Sequence, residues 1–146
     1  MAKDSAHKPR STVVPANYEP SDDERYMNDR MVEYFRRKLL ERKADIAKQT
    51  RGAVEYLQGE RVNHPDLTDV ATYNADRQLE LRTKDRLRKL SRKIDQALAR
   101  IEDGTYGYCE ETGDPIGARR LVARPMATLC IEAQEMHERG EKSRAG

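Results

Sequence analysis

Aromatic residues are scarce in this sequence. Tryptophan is absent, phenylalanine occurs once, at Phe35, and aromatics make up 5% of the chain against 37% for charged residues. So few large apolar side chains cannot fill a wide core across 146 residues, whereas a long solvated helix needs only a narrow apolar seam. Cysteine is nearly missing as well. Cys109 and Cys130 are too few for the disulfide framework of a small secreted domain, and they fit a reduced compartment. Nor is charge of one sign in excess: 28 basic residues face 26 acidic ones, a formal net charge of +2, so the total exerts no pull toward DNA or an anionic membrane. No apolar run approaches a membrane span, and Met1-Ala2-Lys3-Asp4-Ser5 leads into no signal-like apolar stretch. These absences predict a cytoplasmic protein. His7, His64 and His137 are scattered, and no nucleophile and base fall in a pocket-forming pattern, so the sequence makes no case for an enzyme.

What is present is helical periodicity. Residues 1–20, with Pro9, Pro15 and Pro20, read as a flexible arm. Ser21-Asp22-Asp23-Glu24 has the pattern of a capping box and predicts that an N-terminal helix of the base starts there, over 21–31. From Val32 a seam at alternating steps of three and four runs through Phe35, Leu39, Arg42, Ile46, Gln49, Ala53 and Tyr56, with Leu40 and Leu57 widening it. Arg42, Gln49, Gly52 and Gly59 weaken it. Asn63-His64-Pro65-Asp66 breaks the pattern. A second seam follows through Thr83, Leu87, Leu90, Ile94, Ala97 and Ile101, and Gly104 suits its stop. Two helices of about thirty residues, each roughly 45 Å long, should pack antiparallel as a coiled coil over 32–104 with its tip near 63–71. Residues 105–127 are dense in turn formers and predict a knuckle. Arg124-Pro125 should open a closing helix from near Thr128 to Gly140, in a C-terminal helix and tail over 128–146, with Leu129, Cys130, Ala133, Met136 and His137 on one stripe. The fold class is therefore mostly α, a long coiled coil projecting from a small globular base.

Three constellations stand out. Residues 62–76 hold three acidic residues and no Lys or Arg. Asp66 and Asp69 there suit the capping of a helix N-terminus, and by themselves the residues favour that reading. Arg82 to Lys93 carries seven basic residues against one acidic. Such a run is usually a solvated helix face; its other reading is contact with phosphate or an acidic protein surface. The run holds no aromatic residue to stack on bases, and no recognition helix is evident, which argues against direct DNA binding. The third is the thiol pair. Where a C-x-x-C partner would fall, Cys109 has Thr112 and Cys130 has Ala133, so the cysteines read as small buried hydrophobes held with Tyr106, Ile116, Leu121 and Leu129. Their redox chemistry is left open.

The run Gly104-Thr105-Tyr106-Gly107-Tyr108-Cys109, then Gly113, Ile116, Arg120-Leu121, Ala123-Arg124-Pro125 and Cys130, resembles the zinc-finger motif of the DksA family. Tyr26-Met27-Asn28, Phe35-Arg36-Arg37, Asp66-x-x-Asp69-x-Ala71 and Leu79-Glu80-Leu81-Arg82 resemble its helical part. The likeness extends from about Glu24 to the C-terminus. It implies a transcription regulator whose coiled coil enters the secondary channel of bacterial RNA polymerase and destabilises open complexes at ribosomal and other promoters, in the stringent response with ppGpp.

Carried over by residue, the resemblance implies an active-site tip of Asp66, Asp69 and Ala71, a polymerase contact at Arg86, and a ppGpp site formed with polymerase by Leu90, Lys93 and Arg124. It suggests a monomer with no sequence-specific DNA binding and no membrane. The family's four zinc cysteines are reduced to Cys109 and Cys130, as in zinc-independent members, so Zn2+ is not required and no cofactor is needed. Gln134 stands where better-known members carry a lysine, which implies weakened ppGpp binding. The alternative reading is a non-catalytic coiled-coil competitor or scaffold that keeps the fold without the regulatory activity.

Overall fold

The first helix begins where Asn28 caps it. Its Oδ1 accepts the backbone N–H of Met31 at 3.0 Å, while its Nδ2 donates to Glu24 Oε1 at 2.8 Å and to the Arg25 carbonyl at 2.7 Å. The computed structural model describes residues 13–59 and 67–145. Among these, the elements are α1 (Asp29–Gly59), α2 (Leu67–Asp103), α3 (Ala118–Ala123) and α4 (Ile131–Ala145). The pairing of Tyr108 with Pro115 is an isolated antiparallel bridge.

The start of α1 corrects the expectation of a helix from Ser21. Residues 21–28 form turns, and Ser21 Oγ lies 3.4 Å from Glu24 Oε2. Both Ser21 and Asn28 precede acidic residues, but only after Asn28 do apolar residues recur at helical spacing, with Met31, Phe35 and Leu39 all fully buried. The stop of α2 is as expected. Gly104 has φ +82°, its N–H donates to the Ile101 carbonyl at 3.3 Å, and the Thr105 N–H donates to the Arg100 carbonyl at 3.0 Å. This is a Schellman motif, in which glycine bears the left-handed residue without strain.

Residues divide into two units. One comprises 13–39 and 96–145 among the described residues, so the ends of the helices nearest the knuckle belong to it. Its core gathers Met31, Phe35 and Leu39 of α1 with Ile101, Tyr106, Ile116 and Leu121, together with both cysteines. Phe35 sits 5.3 Å from the Tyr34 ring and 5.6 Å from that of Tyr106, which concentrates the few aromatics in one place. Buried Glu33 accepts from Arg36 Nε at 2.9 Å and Arg37 Nε at 3.0 Å. The Arg36 bond holds its carboxyl below the ordinary carboxylate range, aided by Arg37 and opposed by burial.

The knuckle contains a helix that the turn-rich composition hid. The short α3 starts at Gly117, φ +104°, and closes with the Arg124 N–H on the Arg120 carbonyl. Arg124-Pro125 thus follows α3 and does not open the closing helix. That helix starts at Ile131 and buries Ala133, while Met136 is 70% exposed and His137 exposed. The predicted stripe fails beyond its first turn.

The second unit, 40–95, is a two-helix hairpin. Ile46 and Ala53 of α1 and Leu87 and Ile94 of α2 are its buried seam, and Lys43 Nζ meets Asp95 Oδ1 at 2.6 Å across it. Leu90 and Thr83 are half-buried on the same side of α2, whereas Arg42 and Gln49 are exposed. Leu40 is 42% exposed and does not widen the seam. Tyr56 and Leu57 fall where side chains are not described.

Candidate functional site

Three places carry the residues that the sequence singles out. At the hairpin end, Asp66 lies outside the described residues, Asp69 falls in the first turn of α2, and Ala71 is exposed on α2. Further along, Arg82, Arg86, Lys89 and Lys93 recur at steps of four, three and four and share one exposed stripe. Leu90 lies between that stripe and the seam, half-buried. The structure therefore brings Arg86, Leu90 and Lys93 onto neighbouring turns of one helix. Arg124, exposed at the end of α3, belongs to the other unit.

The third place is the knuckle. Its backbone folds back on itself through Cys109 N–H to the Asp114 carbonyl at 2.8 Å, Gly113 N–H to the Cys109 carbonyl at 3.0 Å, and Ile116 N–H to the Gly107 carbonyl at 2.8 Å. Side chains from distant parts of the chain complete it. The Tyr26 hydroxyl donates to the Gly107 carbonyl at 2.5 Å and accepts the Gly117 N–H at 3.1 Å. Tyr106 donates to the Pro125 carbonyl at 2.7 Å, Arg100 Nη2 to the Tyr108 carbonyl at 2.6 Å, and Arg120 Nε to the Leu129 carbonyl at 3.1 Å. Gly107 is needed here, since φ is +92° and a Cβ would come within 2.9 Å of Met27.

Both cysteines are buried and unpaired. Burial pushes the Cys109 thiol up. Hydrogen bonds from the Thr112 hydroxyl and from the backbone of Cys130, Thr112 and Glu111 outweigh it and bring the pKa down to about 6. Thr112 Oγ1 also lies 3.8 Å from Cys130 Sγ. At the edge, His137 of α4 contacts Glu111, which raises its pKa above 6.5. Gln134 is half-buried and donates to Glu138 Oε1 at 3.2 Å.

Two family models match adjoining parts of the chain: the DnaK suppressor protein DksA, N-terminal domain, over residues 31–101, and the prokaryotic dksA/traR C4-type zinc finger over 104–139. The RNA polymerase-binding transcription factor DksA of Caulobacter vibrioides is 59% identical over 130 residues, 89% of this chain and 92% of its own length. This chain belongs to the DksA family. The protein of the same description from Escherichia coli strain K12 is 41% identical over 129 residues, covering 88% of this chain and 85% of that one. Among solved structures, the transcription factor DksA2 from Pseudomonas aeruginosa superposes with a TM-score of 0.74 at 43% identity, covering 80% of this chain and 90% of that one.

The C4 description of the second model can be tested against the donors in this DksA-family knuckle. A four-thiolate site needs two more sulfurs, and Thr112 and Ala133 occupy the positions three residues after Cys109 and Cys130. Among the described residues no three His, Cys, Asp or Glu side chains group so as to hold a metal. The residues do not fit a four-thiolate zinc. The knuckle packing expected from the sequence is largely observed, with Tyr106, Ile116, Leu121, Cys109 and Cys130 buried and Leu129 half-buried.

Sequence reasoning missed the hydrogen-bonding clamps made by Tyr26, Arg100 and Arg120. Each acts over a loop closure that no periodicity encodes; Tyr26 reaches residues 81 and 91 positions away.

Proposed function

We propose that this chain is a cytoplasmic, non-catalytic transcription regulator that binds bacterial RNA polymerase through the secondary channel and destabilises open complexes at ribosomal and other promoters. The observation that carries the reading is 59% identity across 89% of the chain to a protein described as an RNA polymerase-binding transcription factor, joined to a hairpin whose two helices are 31 and 37 residues long. Helices of that length extend roughly 45 to 55 Å. A buried, paired seam with charged flanks suits an element that reaches into a polar channel.

In this reading Asp66 and Asp69, with Ala71, act near the polymerase active site, and Arg86 contacts the enzyme. Leu90, Lys93 and Arg124 form a ppGpp site together with polymerase, in which Gln134 supplies no cation, so the effector binds weakly. No cofactor is required, and Zn2+ is not a constituent. No helix among the described residues is long and apolar enough to cross a membrane. The protein acts as a monomer without sequence-specific DNA contact.

The test is the lifetime of open complexes on a ribosomal RNA promoter with purified bacterial polymerase. The wild-type chain should shorten it several-fold and Asp69→Asn should not. Equal binding with no effect of either protein on lifetime would leave a competitor or scaffold, and this reading would fall.

A further inference from the structure

The knuckle keeps part of a metal site and lacks the rest. Cys109 and Cys130 are 4% and 8% exposed, and neither is in a disulfide. The Cys109 sulfur accepts hydrogen bonds from the Thr112 hydroxyl and from the backbone N–H groups of Cys130, Thr112 and Glu111. The Cys130 sulfur lies 3.8 Å from the same Thr112 Oγ1. One hydroxyl therefore neighbours both sulfurs, and the Cys130 N–H on the Cys109 sulfur ties the two cysteines together a second time.

Each sulfur is placed to carry negative charge. Four donors serve Cys109. Cys130 is the residue before α4, and its carbonyl accepts the Gln134 N–H at 3.0 Å, so its side chain sits at the positive end of a helix of 15 residues. Zinc is nevertheless poorly served. It takes four donors, and with fewer protein ligands it keeps water. Ala133, 2% exposed, offers only a methyl group, Thr112 offers a neutral hydroxyl, and Glu111 at the edge is engaged by His137. A monovalent d10 ion has different needs. Cu(I) is a soft ion that thiolates select, and it binds two sulfurs in line with no further ligand. Two thiolates and Cu(I) leave one net negative charge to be buried, where a tetrathiolate zinc leaves two.

We propose that Cys109 and Cys130 form a two-coordinate thiolate site for Cu(I), with Thr112 as the positioning residue between them. On binding, two sulfur–copper bonds form and the thiol protons pass to solvent. Copper enters and stays as Cu(I), so no oxidant or reductant takes part. Thr112 is exposed, which gives the ion a way in by exchange from a soluble ligand at the surface. The inference is independent of polymerase binding.

The experiment titrates the full chain, anaerobic and reduced with both thiols counted as free beforehand, against Cu(I) held by bicinchoninate. One Cu(I) per chain should leave the coloured chelate. Cys109→Ser and Cys130→Ser should each abolish the transfer, and Thr112→Val should weaken it about tenfold, with circular dichroism checking that helicity is kept. Zn(II) offered from a chromogenic chelator should stay with the chelator. Cu(I) should also raise the thermal midpoint of the wild type. X-ray absorption of the copper-loaded wild type requires no variant to fold, and it should show two sulfur neighbours with no nitrogen or oxygen. If copper stays with bicinchoninate, or if Cys109→Ser/Cys130→Ser takes up as much as wild type, the inference is overturned. Nitrogen or oxygen ligands on the bound copper would overturn it equally, as would zinc held at one per chain.

Discussion

In the unit built from residues 13–39 and 96–145, polar side chains bind backbone far away in sequence: Tyr26 holds Gly107 and Gly117, Tyr106 holds Pro125, and Arg120 holds Leu129. In the hairpin unit, side-chain bonds among the described residues typically span three or four positions, as with Thr50 to Ile46, Thr83 to Leu79 and Arg88 to Asp85. Lys43 to Asp95 is the bond that crosses between helices. The first unit is specified by tertiary contacts around an aromatic cluster. The second depends on local helix stability and a thin seam, and its exposed pairs add little in water. One chain thus uses two ways of holding structure, and each should respond to a different kind of substitution.

The largest effect should come from the aromatic cluster. Phe35 is fully buried between Tyr34 and Tyr106, and Phe35→Ala should cost about 3–5 kcal/mol in urea unfolding. A loss under about 1 kcal/mol would mean that the cluster does not organise its unit. The hairpin should instead gain from a change of propensity alone. Gly52 lies inside α1 with nothing within 4 Å of an added Cβ, so Gly52→Ala should stabilise it by about 1 kcal/mol. Amide exchange should slow across residues 40–55 and stay unchanged in the knuckle; equal slowing in both would erase the distinction drawn here.

The smallest effect concerns pH. Contact with Glu111 raises the His137 pKa above 6.5, with Glu141 adding to it. The contribution of this contact is therefore complete below 6.5 and is lost as pH rises through the higher folded value. The ring resonances of His137 should report that elevated midpoint, and Glu111→Gln should move it back toward 6.5. An unchanged midpoint would detach α4 from the list of elements tied to the knuckle.

How much of this was legible in sequence follows the same division. The helix α2 could be read almost directly: Leu87 and Ile94 in the hairpin, seven residues apart, and Ala97 and Ile101 beyond it, at steps of three and four, are all buried, and Gly104 stops α2 as its position suggests. Helical periodicity is local, so the sequence displays it. The competing caps at Ser21 and Asn28 could not be ranked without knowing that Met31 would be buried. The helix α3 was obscured by surrounding turn formers, and Met136, placed on an apolar stripe by spacing, is 70% exposed. Of the candidate site, the Arg86–Leu90–Lys93 alignment follows from helix geometry alone. The Tyr26 clamp and the Thr112 hydroxyl beside the thiols depend on loop closures that only folding reveals.

Glu33 carries one more consequence. A carboxylate that is 4% exposed and gripped by Arg36 and Arg37 contributes stability that is fully present above the ordinary carboxyl pKa and disappears as pH falls through its depressed one. Protonation there would weaken the two charge-assisted bonds that Glu33 accepts from Arg36 and Arg37. Part of the acid sensitivity of the unit that holds the knuckle therefore originates in the first turns of α1.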